Sequence, residues 1–186
     1  DAAVTSSYLV LNREAEEWQV VGEYGRVEIQ SSTPLMPELV YNGRSQGCGD
    51  IFLYKANSDY AMSEYLVVAI DARAFSLSAD PLTLELAEHP ETIVARIDLF
   101  GDRVYNFGEF PYCNDVGPDA QPQAVWQAES GTITVRIHGE IPEETCMGQG
   151  YEATVRLENV LFRNGEETAQ LDEILFADVP VGWCVG

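Results

Sequence analysis

Positively charged residues are few in this sequence. Lys55 is its sole lysine, and ten basic residues stand against 31 acidic ones, which gives a formal net charge of −21 over 186 residues. A chain of this sign is repelled by phosphate and has few cations with which to release the counterions of a nucleic acid. We therefore expect no nucleic-acid partner. The acidic surface fits three settings: a solvated exterior in salty surroundings, a calcium-dependent surface, or a face that meets a cationic partner.

Long apolar runs are missing as well. No stretch of about 18 apolar residues occurs, so we expect no membrane insertion. No charged-then-apolar segment opens the chain, so an exported protein would be present here in its mature form.

The cysteines lack the spacing of a metal cluster. The sequence contains no C-x-x-C pair, and no histidine stands near a cysteine at zinc-site spacing. Two disulfides are the expected use of the four residues, namely Cys48, Cys113, Cys146 and Cys184. Disulfides predict an exported protein, located outside the cell, on its surface or in the periplasm. Four free thiols in a cytosolic protein are the alternative.

Helical periodicity is scarce, whereas the strand pattern recurs along the whole chain. Apolar segments are short, rich in Val, Ile, Tyr and Phe, and end at Gly, Pro, Asn or Asp. The sequence predicts an all-β fold with little helix, an antiparallel β-sandwich or jelly-roll-like domain of about 10 to 13 strands. No linker divides the chain, so residues 1–186 are expected to form a single domain.

The stretch 125–140, VWQAESGTITVRIHGE, shows the alternation most clearly. Ile133, Val135 and Ile137 fall on one face of a strand and polar residues on the other, so we expect one face to pack in the core and the other to face solvent. Ser130 and Gly131 separate this strand from the preceding one, as a two-residue hairpin turn would. The run YLVVAI, residues 65–70, is apolar on both faces and is predicted to lie in the middle of a sheet.

Signals for catalysis are few. Gly43 to Gly47 match the G-x-S-x-G pattern around Ser45, but a nucleophile elbow needs a strand before it and a helix after it, so we interpret the segment as a loop. The two histidines do not pair with a nucleophile: His89 precedes a proline at a turn, and His138 lies on a polar strand face. We assign no catalytic residue. An enzyme remains the less favoured alternative.

The loop PYCNDVGPDAQP, residues 111–122, allows two interpretations. Asn114, Asp115 and Asp119 supply oxygen ligands of the kind that calcium prefers, and Gly117 permits a tight turn. The same residue types are common turn formers, and the pattern is not that of an EF-hand. The loop is therefore either a calcium site or a turn stapled by Cys113, and no cofactor is required for the fold.

Hairpin geometry predicts how the cysteines pair. If Ser130 and Gly131 form a turn, Cys113 and Cys146 flank the open end of that hairpin, which predicts the pairs Cys113–Cys146 and Cys48–Cys184. A rival turn at Asn164 and Gly165 would bring Cys146 towards Cys184. It requires strands of about eighteen residues, against a usual five or six.

These features favour a non-catalytic secreted or cell-surface module with a binding or structural role. A calcium- or carbohydrate-binding domain is the first alternative, and a small secreted glycoside-acting enzyme that uses a carboxylate pair is the second. The expected partner is a protein or a glycan, with self-association along a sheet edge as a further mode. Trp126 and Trp183 are predicted to pack in the core or against a disulfide rather than to stack on sugars.

Overall fold

The computed structural model describes residues 10–14, 17–22, 35–101, 111–114, 121–142 and 150–184. The chain divides into two compact units, Asp1–Pro34 and Leu35–Gly186. In the first unit, strands β1 (Val10–Glu14) and β2 (Glu17–Gly22) pair as an antiparallel hairpin. That residues 1–186 form one domain stays a prediction.

The second unit contains one antiparallel sheet of eight strands. Their order is β10-β9-β8-β7-β5-β4-β3, and β6 pairs with β8 beside this path. The strands are β3 (Ser45–Cys48), β4 (Ile51–Ala56), β5 (Glu64–Ile70), β6 (Leu82–Glu85), β7 (Ile93–Leu99), β8 (Ala124–His138), β9 (Tyr151–Asn164) and β10 (Glu167–Val181). The helix in the described residues consists of two short 3-10 turns, Ala72–Ala74 and Leu86–Glu88. The predicted all-β, antiparallel class with little helix is confirmed.

The sheet curls into a half-barrel, so that its first and last strands approach each other. The N–H of Gly49, in the turn after β3, donates to the carbonyl of Trp183 at 2.7 Å. The N–H of Gly182, just after β10, donates in return to the Gly49 carbonyl at 2.5 Å. At Gly47 an added Cβ would lie only 2.9 Å from Val181 Cγ1, so a glycine is needed where the two strands meet.

The concave face of the curled sheet holds the main core, and its alternation follows the sequence pattern. Ile133, Val135 and Ile137 are buried in this core, as predicted. Trp126 is fully buried as well, and its indole N–H donates to the Leu35 carbonyl at 3.0 Å, which confirms its predicted core position. Trp183 is 39% exposed, so its predicted packing is only partial.

Strand β5 is buried on both of its faces. Leu66 and Val68 belong to the main core, whereas Tyr65 and Val67 pack on the convex face in a second, smaller cluster. The strand lies between β4 and β7, which confirms the predicted central position of the run YLVVAI.

The predicted hairpin at Ser130 and Gly131 is wrong. Strand β8 runs without a break from Ala124 to His138, and its register with β9 shifts on both sides of Ser130. Gly131 has a φ of +119°, and an added Cβ would lie 2.7 Å from Val160 Cα. The glycine thus marks a bulge that bends a long strand, where a Cβ would collide with β9.

The rival turn is the real hairpin. Strands β9 and β10, of 14 and 15 residues, pair on either side of Gly165, which has a φ of +59°. The usual strand length of five or six residues did not exclude this turn, because bulges let long strands follow the curvature of the sheet. One such register shift separates Phe176 from Val179 in β10.

Candidate functional site

The disulfide at the loop 111–114 joins Cys113 to Cys48, with their Cα atoms 5.9 Å apart. The predicted pairs Cys113–Cys146 and Cys48–Cys184 are therefore wrong, because they were built on the Ser130 hairpin. Cys184 is also disulfide-bonded, and Cys146 lies outside the described residues. A disulfide therefore does anchor the loop, but it joins the loop to β3, the last strand in the order of the sheet.

The stapled loop places Tyr112 on the convex face of the sheet. Its ring lies 5.6 Å from Phe52, 5.2 Å from Tyr54 and 5.5 Å from Tyr65, measured between centroids. Tilted and edge-on aromatic contacts at this spacing stabilise a cluster beyond the area they bury. The bridge at Cys113 thus holds an aromatic cover over the outer side of β4 and β5.

Beneath Tyr112 lies a buried carboxylate, Asp98, which is 1% exposed. Arg96 Nε is 3.0 and 3.1 Å from its two oxygens, and the Tyr112 hydroxyl donates to one of them. Burial, followed by the nearby negative charge of Asp98, raises the pKa of Tyr112 above its ordinary range. Both carboxylate oxygens are therefore occupied by donors of the protein itself, which makes Asp98 a structural group.

A second buried carboxylate, Glu64, begins β5 and is 3% exposed. It accepts hydrogen bonds from the Tyr41 hydroxyl at 2.6 Å and from the backbone N–H groups of Glu38 at 2.8 Å and Leu39 at 3.2 Å. Burial, and then the Glu64 charge, raises the pKa of Tyr41. Glu64 thereby fixes the segment before β3, and a cavity of about 280 Å³ lies beside it.

The sequence analysis did not single out either acid. The sequence carries one signal that could have identified them as buried. Asp98 lies inside the apolar strand segment TIVARIDLF, and Glu64 lies directly before YLVVAI. A charged residue in such a run is buried only when it is paired and hydrogen-bonded, which points to an internal partner.

Of the predicted calcium ligands, the structure describes only Asn114, which is exposed. Asp115 and Asp119 lie outside the described residues. Within the described part of the chain, no group of three or more His, Cys, Asp or Glu side chains could hold a metal ion. Calcium binding by this loop stays a prediction.

Ser45 does not occupy a nucleophile elbow. It is the first residue of β3 and pairs with Lys55 of β4, so it lies in a hairpin and not between a strand and a helix. The interpretation of the segment as a loop is therefore wrong for residues 45–47, which belong to the strand. The two histidines make contacts with other residues. His138 Nε2 is 3.6 Å from an Asp178 oxygen, and the His89 ring makes an edge-on contact with Phe75 at 5.3 Å.

The convex face of β6, β8, β9 and β10 carries a polar groove of about 480 Å³. Two adjacent cross-strand rows form it, because strand register places their side chains on the same face. Arg136 lies opposite Thr154 in one row, and Thr134, Arg156 and Leu175 lie opposite one another in the next. Pro81, Ala177 and Asp178 line the groove as well. Glu158 also lines the groove.

Most polar groups of this groove have partners within the protein. The hydroxyls of Thr83 and Thr134 are 2.9 Å apart. Thr154 donates its hydroxyl to Asp178 at 2.6 Å, and Arg156 Nε is 3.6 Å from a carboxylate oxygen of Glu173. The remaining arginine of the groove, Arg136, has an Nε that is shielded from solvent and has no hydrogen-bond partner among the residues that the structure describes.

The described residues thus form a curled antiparallel sheet with one buried, internally hydrogen-bonded carboxylate on each face and a polar groove on its convex face. Comparison of the chain with protein-family models, curated proteins and solved structures found no match. In the described ranges, no helix is long and apolar enough to cross a membrane.

Proposed function

We propose that this protein is a non-catalytic, exported binding module that holds a glycan on the convex face of β8, β9 and β10. The observation that carries the proposal is the groove between Arg136 and Asp178. Its volume of about 480 Å³ falls within the range of roughly 300 to 1,000 Å³ that is typical of small-ligand sites. Its lining combines hydroxyls, charges and an exposed Leu175, the mixture that a sugar requires.

The buried acids support a binding role over catalysis. Glu64 and Asp98 are buried, as catalytic acids often are, but donors of the protein itself engage the oxygens of both. Glu158 and Asp178 both line the groove, which keeps a glycoside-acting enzyme as the second candidate.

The disulfides support export to the cell surface, the extracellular medium or the periplasm, since such bonds persist in oxidising compartments. The sandwich or jelly-roll architecture is part of the same proposal. The approach of β3 to β10 supports it, because the curled sheet then encloses its core from two sides. An experimental structure in which the eight strands stay one open sheet would contradict it.

Glycan binding can be tested with a variant that fills the groove. Ala177 is exposed in β10 and lines the groove, so Ala177→Trp should fill it without disturbing the core. Gln170→Trp is the matched control, since it adds the same side chain at an exposed position of the same strand outside the groove. On a glycan array, the wild type and the control should retain the same sugars, and Ala177→Trp should lose them.

Three outcomes of this experiment count against the proposal. Binding that survives in Ala177→Trp would show that the groove is not the site, and binding of no glycan would remove the ligand class. Release of reducing ends from a bound polysaccharide would favour the glycosidase alternative.

The remaining partner hypotheses have separate tests. A melting temperature that rises in millimolar calcium would support the calcium alternative, because a ligand that prefers the native state stabilises it. Size-exclusion chromatography at several concentrations tests self-association along a sheet edge.

A further inference from the structure

The arginines of the described residues differ in whether their charge is compensated. Arg73, Arg96, Arg156 and Arg163 each have a nitrogen within 4.0 Å of a carboxylate oxygen. Within the described part of the chain, Arg136 forms no ion pair, and its Nε is shielded from solvent without a hydrogen-bond partner. A buried donor that has lost water and gained no acceptor lowers stability, so an acceptor at this point would be bound favourably.

Strand register explains why Arg136 forms no ion pair with a described residue. Thr154 of β9 lies directly opposite it, and Pro81, the residue before β6, lines the same groove. Along β8, its neighbours on the same face are Thr134 and His138. None of these side chains carries a negative charge, so the cation of Arg136 is not neutralised by its immediate neighbours.

The carboxylates of the groove are placed elsewhere. Asp178 lies beyond Thr154 in the next strand, where it accepts the Thr154 hydroxyl at 2.6 Å and has His138 Nε2 at 3.6 Å. Glu158 pairs with β8 at Thr132, two rows away from Arg136. The groove therefore presents one uncompensated cation together with carboxylate oxygens that can accept hydroxyl hydrogen bonds.

We propose that the groove selects an acidic sugar, a uronic acid, and that Arg136 binds its carboxylate. This inference rests on the proposed glycan-binding function and names the ligand class. A guanidinium matches a carboxylate in planar, two-point geometry. A ligand with a single negative charge fits better than a phosphate, because Glu158 and Asp178 line the same groove and the chain carries a net charge of −21.

The other walls of the groove suit the rest of such a ring. Asp178 and Glu158 accept hydrogen bonds from ring hydroxyls, and Leu175, which is 39% exposed, offers an apolar surface to the C–H face of the sugar. A uronic acid has a carboxylate at one end and hydroxyls along its ring. These groups complement the guanidinium of Arg136 and the carboxylate oxygens of Asp178 and Glu158.

The test compares glucuronate with glucuronamide, which differ in the charge of one group. Each is titrated into the isotopically labelled protein, and the dissociation constant is taken from backbone amide shifts in β8 and β9. Glucuronate should bind at least about tenfold more tightly than glucuronamide, as expected for a charge-assisted pair. Arg136→Gln should abolish this preference, and its melting temperature should show that the fold is retained.

Arg163→Gln is the matched control, because Arg163 is paired with Glu129 and does not line the groove. It should bind glucuronate as the wild type does. Equal affinity for glucuronate and glucuronamide, or an unchanged preference in Arg136→Gln, would overturn the inference. Tighter binding of glucose 6-phosphate than of glucuronate would overturn the choice of a singly charged ligand.

The failures of the two proposals differ. Neutral sugars that bind the wild type but not Ala177→Trp would leave the binding function intact and refute the uronic-acid inference. Absence of any sugar-induced shift around the groove would refute both.

Discussion

The disulfide between Cys48 and Cys113 should contribute more to stability than any single hydrogen bond on the convex face. Its two cysteines are 65 residues apart, and for a loop of that length the chain-entropy relation gives about 4 kcal/mol at 25 °C. For a protein of this size, 1 kcal/mol corresponds to about 2–4 °C in melting temperature. The double variant Cys48→Ala/Cys113→Ala should therefore melt roughly 8–16 °C lower than the wild type.

Urea denaturation and thermal melting of the double variant measure this loss directly. Replacing both cysteines avoids a free thiol that could exchange with the disulfide of Cys184. Tyr112→Phe is the control for the local contacts, because it keeps the bridge and removes only the hydroxyl that donates to Asp98. That control should cost about 1 kcal/mol.

Two results would refute this reasoning. A loss below about 1 kcal/mol in the double variant would mean that the loop is already constrained in the unfolded chain. A non-reducing peptide map that joins Cys113 to Cys146 would mean that the bridge itself is different.

Other perturbations test the buried acid, the bulge and the tyrosines. Asp98→Ala should destabilise the fold by roughly 2–4 kcal/mol in urea denaturation, since its arginine and tyrosine partners lose their acceptor; a loss below about 0.5 kcal/mol would contradict its structural role. Gly131→Ala should cost about 2 kcal/mol or more, because φ is +119° and the new Cβ would collide with β9. Gly49→Ala is the matched control: φ is +58°, but an added Cβ would have no atom within 4 Å, so the free energy of unfolding should fall by only about 1 kcal/mol. Equal losses of stability in the two variants would argue against a collision at Gly131. Burial raises the pKa of Tyr54 and Tyr151 from 10.0 to about 12 in the folded state. Their contribution to stability is thus complete below pH 10 and is lost as the pH rises towards 12, because the unfolded chain releases these protons first. Tyrosinate absorbance that develops fully near pH 10 while the protein is still folded would contradict this.

Local pattern was enough to predict the class of fold. The alternation of Ile133, Val135 and Ile137 has the period of a strand, and burial of one face follows from that period wherever the strand pairs. The double-sided apolar run at Tyr65–Ile70 likewise requires cover on both faces, which only the middle of a sheet provides. These properties depend on near neighbours along the chain, so the sequence determines them.

The partners of these strands depend on residues far apart in sequence, and here the tertiary structure decided. The same Gly131 can form a hairpin turn or a bulge, and only the close approach of Val160 makes it a bulge. That choice led to the wrong cysteine pairing, since Cys113 meets Cys48 through the folding of the loop over β3. The position of Arg136 opposite Thr154 follows from the register of β8 with β9. Alternation assigns its face but cannot assign its neighbours, because cross-strand contacts are set by pairing and not by period.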